Sequence, residues 1–510
     1  MRASRLTSLI CAVALAATGL AFAGAAQAKP GETVFFEAPR DLLAVTPAER
    51  AQTLAKLTSY GVRAVRIVLY WRDVAPKPAS RQRPHFTETN PAAYSWGYYD
   101  ALISAVTALH WTVLLTVSGP VPRWATAGAR DQYTNPSAKD YRKFMAAVGR
   151  HYGRMVKLFS LWNEPNQPQY LRPQYVGGVL ASAALYRSLF LAGYAGLKAS
   201  GNFAGMRVLM GETSPIGVAS AGIPAPLAFL RGALCLNSSY RPVGHCARLP
   251  ADGYAQHPYS EKPGPFWVPP ADDVTIGTIG RLVTALDRAA AAGEVRAGLP
   301  VYITEFGVQS TPNVTLGVPL QTQAEYQAIS EQIAWNNPRA ASFDQYLLRD
   351  DPPANTRNPL LRWPGFESGL ETYSGKPKPL YDGFRLPLVV TRTRTGVSLW
   401  GIVRPASDPV AKAASAGGTG APTGPSGATG TTGSTGRSAG PTTLELQYSK
   451  DGGRTWHNLQ RERTDARGAW SAAGRFASHR LWRVRWTSSA GTTYTGSPTR
   501  AYTTGGAVQS

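Results

Sequence analysis

Apolar runs of strand length alternate with stretches of helix length from Gly31 to about Leu388. The runs are rich in Val, Ile, Leu, Phe and Tyr, which is typical of buried strands. Eight runs are predicted as strands: 33–36, 64–70, 112–117, 155–162, 207–210, 251–256, 300–304 and 342–348. Seven helices are predicted between them: 47–60, 98–110, 138–152, 181–199, 226–234, 276–292 and 322–335.

Repeated strand-then-helix units indicate an α/β fold with a parallel sheet, and eight of them fit a (β/α)8 TIM barrel. The rival is a doubly wound open sheet, which usually carries a Gly-rich turn after its first strand. No such turn follows Phe36. A barrel over residues 29–388 is therefore predicted. Its catalytic side chains are expected where the strands end at the C-terminal face.

The chain changes character after Leu388. Short strand-like pieces with turn signals predict a smaller all-β sandwich over residues 389–510. Residues 411–441 are mostly Gly, Thr, Ser, Ala and Pro, a composition that cannot bury a core and predicts a disordered segment. Because residues 397–405 already have a strand pattern, this segment is predicted as a long loop inside the sandwich.

The N-terminus has the pattern of a secretory signal peptide. Arg2 and Arg5 precede an apolar run, and Ala26-Gln27-Ala28 matches a signal-peptidase site. A membrane helix is the alternative, but the run is short and broken by polar and Gly residues. Residues 1–28 are predicted to be removed, and the protein is expected to be secreted or cell-wall associated, with no transmembrane segment in its mature form.

Two cysteines, Cys235 and Cys246, remain after residue 28. In an exported chain, two cysteines eleven residues apart most simply form one disulfide across a loop. A metal site is the competing interpretation, but the pair lacks CxxC spacing and the neighbouring His245 is a lone histidine. A disulfide is predicted, and no metal.

The formal net charge is +22, and it is unevenly distributed. Residues 389–510 hold 15 Lys and Arg against 5 Asp and Glu. Such an excess suits contact with an anionic cell-wall polymer, although a solvated basic surface explains it equally well. Binding of nucleic acid is not expected, because no recognised nucleic-acid motif is present.

Two glutamates lie in motifs at strand ends. Asn163-Glu164-Pro165 follows the fourth predicted strand, and Thr304-Glu305-Phe306-Gly307 closes the seventh. Together these motifs resemble the clan A glycoside hydrolases, retaining TIM-barrel enzymes that include cellulase-like, mannanase-like and xylosidase-like families. The resemblance covers residues 31–388. Retaining hydrolysis needs one carboxylate to attack the anomeric carbon and one carboxylic acid to protonate the leaving oxygen.

The resemblance implies a role for each matching residue. Glu164 would be the acid/base, and Glu305 the nucleophile. Arg66 matches an arginine near the nucleophile that helps to keep it charged. Asn163 matches an asparagine that hydrogen-bonds the sugar 2-hydroxyl, and Tyr259 matches a tyrosine that orients the nucleophile. Repulsion from ionised Glu305 is expected to raise the pKa of Glu164.

Three further residues are less clearly assigned. His257 is equally consistent with a sugar contact and with packing. Trp124 is predicted to stack on a sugar ring, since aromatic faces do so, but it could also belong to the core. Glu212 ends the fifth strand without a companion motif, and substrate binding or a structural salt bridge is expected for it.

The eighth strand departs from the pattern of the clan. Many members have a tryptophan there beneath the sugar that is cleaved, whereas this chain has Gln345 and Tyr346 at the strand end. One of these two, or Trp363 from the following loop, is expected to take that place. The departure leaves the identity of the sugar open.

The sequence therefore predicts a secreted retaining glycoside hydrolase that cleaves a β-glycosidic bond in an oligo- or polysaccharide without a cofactor. A non-catalytic glycan- or cell-wall-binding protein on the same scaffold, and a transglycosylase, are the alternatives. The C-terminal module resembles bacterial immunoglobulin-like or fibronectin-like sandwich domains. Its Asp451-Gly452-Gly453 sequence is typical of hairpin turns in extracellular β modules.

Overall fold

The computed structural model describes residues 32–406 and 441–503. The predicted signal peptide, residues 1–28, lies outside these residues. So does the predicted Gly/Thr/Ser/Pro-rich segment at 411–441, apart from Pro441.

The first ten strands form a closed barrel and a small hairpin. They are β1 (Thr33–Glu37), β2 (Ala64–Tyr70), β3 (Thr112–Ser118), β4 (Leu158–Leu161), β5 (Tyr175–Val176), β6 (Val179–Leu180), β7 (Arg207–Thr213), β8 (Gly253–Gln256), β9 (Val301–Ile303) and β10 (Ala340–Tyr346). The barrel order is β1-β10-β9-β8-β7-β4-β3-β2, with all pairs parallel, while β5 and β6 pair only with each other. The predicted eight-stranded barrel is confirmed.

Eleven α-helices accompany the barrel strands in the described residues. They are α1 (Pro39–Leu42), α2 (Pro47–Ser59), α3 (Trp71–Val74), α4 (Gly97–Ala108), α5 (Ala138–Tyr152), α6 (Ser182–Lys198), α7 (Pro226–Ala233), α8 (Ile279–Ala291), α9 (Leu320–Asn336), α10 (Pro359–Arg362) and α11 (Pro379–Arg385). Local sequence explains where they begin. At α2, the Thr46 hydroxyl accepts a hydrogen bond from the Glu49 amide, and the Thr46 amide donates to the Glu49 carboxylate, a capping box that satisfies otherwise unpaired amides.

The fourth strand is shorter than predicted. The sequence predicts a strand from Met155 to Trp162, but β4 spans Leu158–Leu161. The amides of Met155 and Val156 both donate to the Tyr152 carbonyl, so the residues before β4 cap helix α5. Trp162 leaves the strand with a φ of 77°.

Alternation along the strands divides the barrel interior into an apolar floor and a charged upper layer. The floor is built from one inward side chain of each strand: Phe35, Ala64, Leu114, Leu158, Leu209, Ala255, Tyr302 and the partly buried Ala341. Side chains two residues further along a strand point to the same face. On β1, β2 and β3 these positions are Glu37, Arg66 and Thr116, all buried. The strands thus deliver polar groups to the C-terminal end of the barrel.

The C-terminal residues form the predicted sandwich. Its strands are β11 (Leu388–Arg392), β12 (Val397–Ile402), β13 (Thr443–Ser449), β14 (His457–Arg463), β15 (Ala469–Gly474), β16 (Leu481–Thr487), β17 (Thr493–Thr495) and β18 (Ala501–Tyr502). They make two sheets, β15-β12-β11-β18 and β14-β13-β16-β17, around a core that includes Leu399, Leu446 and Trp482. The likeness of this sandwich to immunoglobulin-like modules stays a prediction.

The sandwich packs against the barrel through helix α9. Ala328 and Ile329 of α9 share an apolar cluster with Val389 and Trp400 of the first sandwich sheet. Beside this cluster, both carboxylate oxygens of the α9 residue Glu331 accept from Arg404 Nη2, at 2.9 and 2.8 Å. The pair is almost fully buried.

Two smaller features complete the fold. Cys235 and Cys246 form the predicted disulfide, with their Cα atoms 6.3 Å apart. Among the described residues, no helix combines the length and apolarity that crossing a bilayer requires.

The buried Arg404–Glu331 pair is expected to stabilise the attachment of the sandwich. Arg404→Met should lower the free energy of unfolding by about 3–5 kcal/mol, because it leaves a buried carboxylate without its cation. Urea unfolding followed by tryptophan fluorescence measures this. Arg461→Met is the control, because Arg461 is 76% exposed in its pair with Glu445 and such pairs contribute about 0–1 kcal/mol. Equal losses in both variants would contradict this prediction.

Candidate active site

The two motif glutamates lie directly beyond the ends of barrel strands. Glu164 follows β4 and Glu305 follows β9. The backbone before Glu164 is fixed by a hydrogen bond from the Asn163 amide to the Ser118 hydroxyl at the end of β3, at 2.9 Å. Glu164 and Glu212 have φ values of 39° and 52°. Such left-handed conformations cost about 1–3 kcal/mol outside glycine and cluster at functional sites.

Arg66 is the centre of the site. Its guanidinium is fully buried and contacts residues from four other strands or strand ends. Nη1 donates to Glu305 Oε2 at 2.9 Å and also to Glu37. Nη2 donates to Asn163 Oδ1 at 2.6 Å and to Glu212 Oε2 at 2.5 Å. The predicted closeness of Arg66 to Glu305 is therefore observed. The role of Asn163 toward a sugar stays a prediction.

Glu305 receives hydrogen bonds on both carboxylate oxygens. Tyr259 donates its hydroxyl to Oε1 at 2.7 Å, and Arg66 donates to Oε2. These two donors fix the orientation of the carboxylate. The sequence resemblance implies an orienting role for Tyr259, and the role that it implies for Arg66, to help keep the nucleophile charged, stays a prediction. The Glu305 side chain keeps 11% of its surface exposed.

Glu164 faces His257. Its Oε1 lies 3.1 Å from His257 Nδ1, and its side chain is 14% exposed. Burial raises the pKa of Glu164, the neighbouring His257 lowers it, and Glu305 raises it further. The pKa of Glu164 is thus raised, as the sequence predicts. The main cause is burial, and repulsion from Glu305 contributes less. A carboxyl group with a raised pKa retains a proton for donation.

His257 and Glu212 form a charged pair beneath the motif glutamates. His257 Nε2 lies 3.3 Å from Glu212 Oε2, and both side chains are fully buried. Although burial opposes its protonation, Glu305, Glu164 and Glu212 together raise the pKa of His257 to about 10. Burial would raise the pKa of Glu212, but Arg66 and His257 lower it to about 2. Glu212 therefore belongs to a buried salt bridge, one of its two expected roles.

The carboxyl groups of Glu164 and Glu305 lie close together. One oxygen from each, together with a ring nitrogen of His257, lie within 4.8 Å of one another. That spacing is compatible with a metal ion. However, both oxygens of Glu305 already accept hydrogen bonds, from Arg66 and from Tyr259. The same spacing also suits two carboxyl groups that face one substrate.

Three polar residues near Arg66 are missing from the sequence prediction. Glu37 ends β1 and lies in direct contact with Arg66. Burial raises the pKa of Glu37 to about 7, against the opposing effect of Arg66. Asp344 of β10 is fully buried, and burial raises its pKa well above the usual range. Tyr70 lies four residues after Arg66 on β2. The alternation of side chains along a strand could have identified Tyr70 from the sequence, since it places Tyr70 on the same face as Arg66.

A cavity of about 150 Å³ opens beside Arg66. Its polar wall includes Glu37, Tyr70 and Tyr346. Tyr346 ends the eighth barrel strand, where the sequence lacks the tryptophan of the clan. Its ring lies edge-on to that of Tyr259, with 6.5 Å between the ring centres. The amide of Gln345 instead donates to the backbone carbonyls of Tyr346, Leu347 and Ser368, which gives it a structural role.

The structure does not bring Trp124 to the glutamates. Its ring is 6% exposed and packs edge-on against Trp71 and Phe86, with Arg83 5.1 Å from the ring centre. Its indole N–H donates to the Pro76 carbonyl at 3.1 Å. Neighbouring side chains cover most of the ring, and the stacking of Trp124 on a sugar stays a prediction.

Comparisons with known proteins find similar structures but no sequence match. No protein-family model matches the chain, and no curated protein matches it. A family 39 glycoside hydrolase from Bacteroides cellulosilyticus is similar with 15% identity and a TM-score of 0.49, over 89% of this chain and 81% of that one. A glucosidase from Croceicoccus marinus has 11% identity and a TM-score of 0.49, over 89% of this chain and 94% of that one. Xylanase B from Clostridium stercorarium has 14% identity and a TM-score of 0.43, over 69% of this chain and 96% of that one. Similarities of this size carry no conclusion about activity.

The charge of His257 can be measured directly. The histidine should stay protonated to about pH 10, because three carboxyl groups face it. NMR of protein with isotopically labelled histidine measures the titration. The urea-unfolded protein supplies the reference, a histidine pKa of about 6.5. Glu212→Gln should lower the pKa of His257, since it removes one anion. Titration of His257 near the unfolded value would contradict the proposed charge distribution.

Proposed function

We propose that this protein is a retaining glycoside hydrolase that cleaves a β-glycosidic bond in an oligo- or polysaccharide. One observation carries the proposal: carboxyl oxygens of Glu164 and Glu305 lie within 4.8 Å of each other at the C-terminal face of the barrel. Retaining enzymes hold their two carboxyl groups about 5–5.5 Å apart, whereas inverting enzymes need about 6.5–9.5 Å to admit a water molecule. The closer spacing supports double displacement.

In the first step, a Glu305 oxygen attacks the anomeric carbon as the bond from that carbon to the leaving oxygen breaks. Glu164 transfers its proton to the leaving oxygen, so the departing sugar leaves as a neutral alcohol. The products are a glycosyl ester on Glu305 and an ionised Glu164. His257, already hydrogen-bonded to Glu164, stabilises the carboxylate that forms.

In the second step, Glu164 acts as a base. Once Glu305 is a neutral ester, its negative charge no longer raises the pKa of Glu164, and His257 still lowers it. Glu164 takes a proton from water while the water oxygen attacks the anomeric carbon, and the bond to Glu305 breaks. Both glutamates return to their starting states. If a sugar hydroxyl replaces water, the same intermediate gives transglycosylation.

The remaining parts of the proposal concern location and partners. The signal-peptide pattern at residues 1–28 supports export, so the substrate would be an extracellular carbohydrate. The basic C-terminal residues support contact with an anionic cell-wall polymer. None of these steps requires a metal or an organic cofactor.

Leaving-group dependence distinguishes the roles of the two glutamates. Glu164→Ala should lower kcat/KM by about 10²–10⁴ on aryl β-glycosides with poor leaving groups, the usual contribution of general acid catalysis. With an activated aryl leaving group, which needs no protonation, the Glu164→Ala variant should recover the first step, formation of the glycosyl ester on Glu305. Glu305→Ala should stay inactive on both substrates, because the nucleophile is absent. Steady-state and burst kinetics on a panel of aryl β-glycosides measure these effects.

Glu261→Ala is the matched control, because Glu261 is an exposed glutamate in the loop after β8. It should keep the activity of the wild type. If Glu305→Ala remains active, the proposed nucleophile is wrong. An inactive wild type across the panel would favour a non-catalytic glycan-binding protein.

A further inference from the structure

The outer sheet of the sandwich presents four arginines on one face. Arg461 and Arg463 lie on β14, and Arg483 and Arg485 lie on β16. Strand β13 runs between them, and its Glu445 stands opposite both Arg461 and Arg485. Directly paired residues of neighbouring strands share a face, as do residues two apart on one strand. The four guanidinium groups therefore point to the same side of the sheet.

That side is the solvent side. The alternate residues of the same strands, such as Leu446 of β13 and Val484 of β16, point into the sandwich core. Helix α9 of the barrel packs on the other sheet, β15-β12-β11-β18. The arginine face is therefore on the opposite side of the sandwich from α9. The Arg461 side chain is 76% exposed and that of Arg485 is 47% exposed.

Positive charge on this face is only partly neutralised. Among the described residues of this face, Glu445 is the one carboxylate, and it accepts single hydrogen bonds from Arg461 at 3.2 Å and from Arg485 at 3.4 Å. Arg463 stands opposite Thr443, which carries no charge. Each guanidinium has five donors, so most of the donors on this face are available to a ligand.

One of the four arginines is already held in place. Arg483 donates from Nε to Gln447 Oε1 at 2.8 Å, and its guanidinium lies 4.0 Å from the centre of the Trp456 ring. Burial and the nearby charge of Arg485 both lower the pKa of Arg483, so two like charges are crowded together here. An ordered guanidinium loses less conformational entropy when it binds an anion.

Protection of a sheet edge explains the arginines of β14 but not those of β16. Charged side chains on an edge strand prevent sheets from pairing with one another, and β14 is an edge strand. Strand β16, however, lies between β13 and β17. Arg483 and Arg485 are therefore not needed to protect an edge.

We propose that this arginine face binds an acidic polysaccharide and attaches the enzyme to it. Arginines two residues apart on a strand are about 6.6–6.8 Å apart, and β14 and β16 lie about 9.4–9.8 Å apart across β13. This grid suits a polymer with regularly spaced carboxylates, each of which can take a bidentate guanidinium. The exposed Thr443 lies between the arginines and can hydrogen-bond a sugar hydroxyl. The choice of a polysaccharide over a nucleic acid rests on the proposed glycosidase function.

Binding to polygalacturonate tests the proposal. The full chain with Glu305→Ala, which prevents turnover, is titrated with polygalacturonate by calorimetry at low salt and at about 0.5 M NaCl, where charges are strongly screened. Arg461→Gln with Arg485→Gln should weaken binding at least about tenfold, since it removes two charge-assisted contacts to the carboxylates of the polymer. The matched control is Arg394→Gln with Arg475→Gln, two exposed arginines outside this face, and it should bind like the parent.

Three results would overturn the proposal: no binding at low salt, equal weakening in both double variants, or DNA binding as tight as that of polygalacturonate. Strong salt dependence and no binding of neutral dextran would support it. Activity on aryl glycosides is measured separately with Glu305 intact. The glycosidase proposal and the binding proposal can therefore fail independently. Activity is measured with Glu305 and the four arginines intact, whereas binding is compared between proteins that all carry Glu305→Ala.

Discussion

The candidate site depends on one buried cation, Arg66. Its guanidinium contacts Glu37, Glu212 and Glu305, which come from different parts of the chain and would repel one another without it. Removing one partner of a buried ion pair leaves an uncompensated charge that costs about 3–5 kcal/mol. Barrel closure supplies this arrangement, because it brings the C-terminal ends of non-adjacent strands around a single side chain.

The charges around Arg66 fit the opposite roles proposed for the two glutamates. Arg66 and His257 lower the pKa of Glu212, and Arg66 also donates a hydrogen bond to Glu305. Burial then leaves Glu164 with a raised pKa and so with a proton to donate. His257 contacts both Glu164 and Glu212, so the buried salt bridge and the proposed acid are electrostatically coupled. Geometry and charge therefore support the same assignment of acid and nucleophile.

The sequence predicts the barrel, the sandwich and the closeness of Arg66, Tyr259 and Glu305, because strand periodicity and short motifs at strand ends are local signals. It does not predict that Glu37 and Asp344 join the site. Glu37 contacts Arg66, and Asp344 lies close enough for Arg66 to affect its pKa. Both depend on the pairing of β1 with β2 and β10, which joins distant parts of the chain. The packing of Trp124 is not predicted for a related reason: a tryptophan beside a strand end has the same local pattern whether it faces a cleft or, as here, an aromatic cluster.

The stereochemistry of the first sugar released tests the central claim most directly. Time-resolved proton NMR of an aryl β-glycoside digest distinguishes the anomers before mutarotation. The spacing of Glu164 and Glu305 predicts that the β-anomer appears first, because two inversions at the anomeric carbon give net retention. Initial release of the α-anomer would contradict the account, since it would require a single displacement by water and a wider separation of the carboxyl groups.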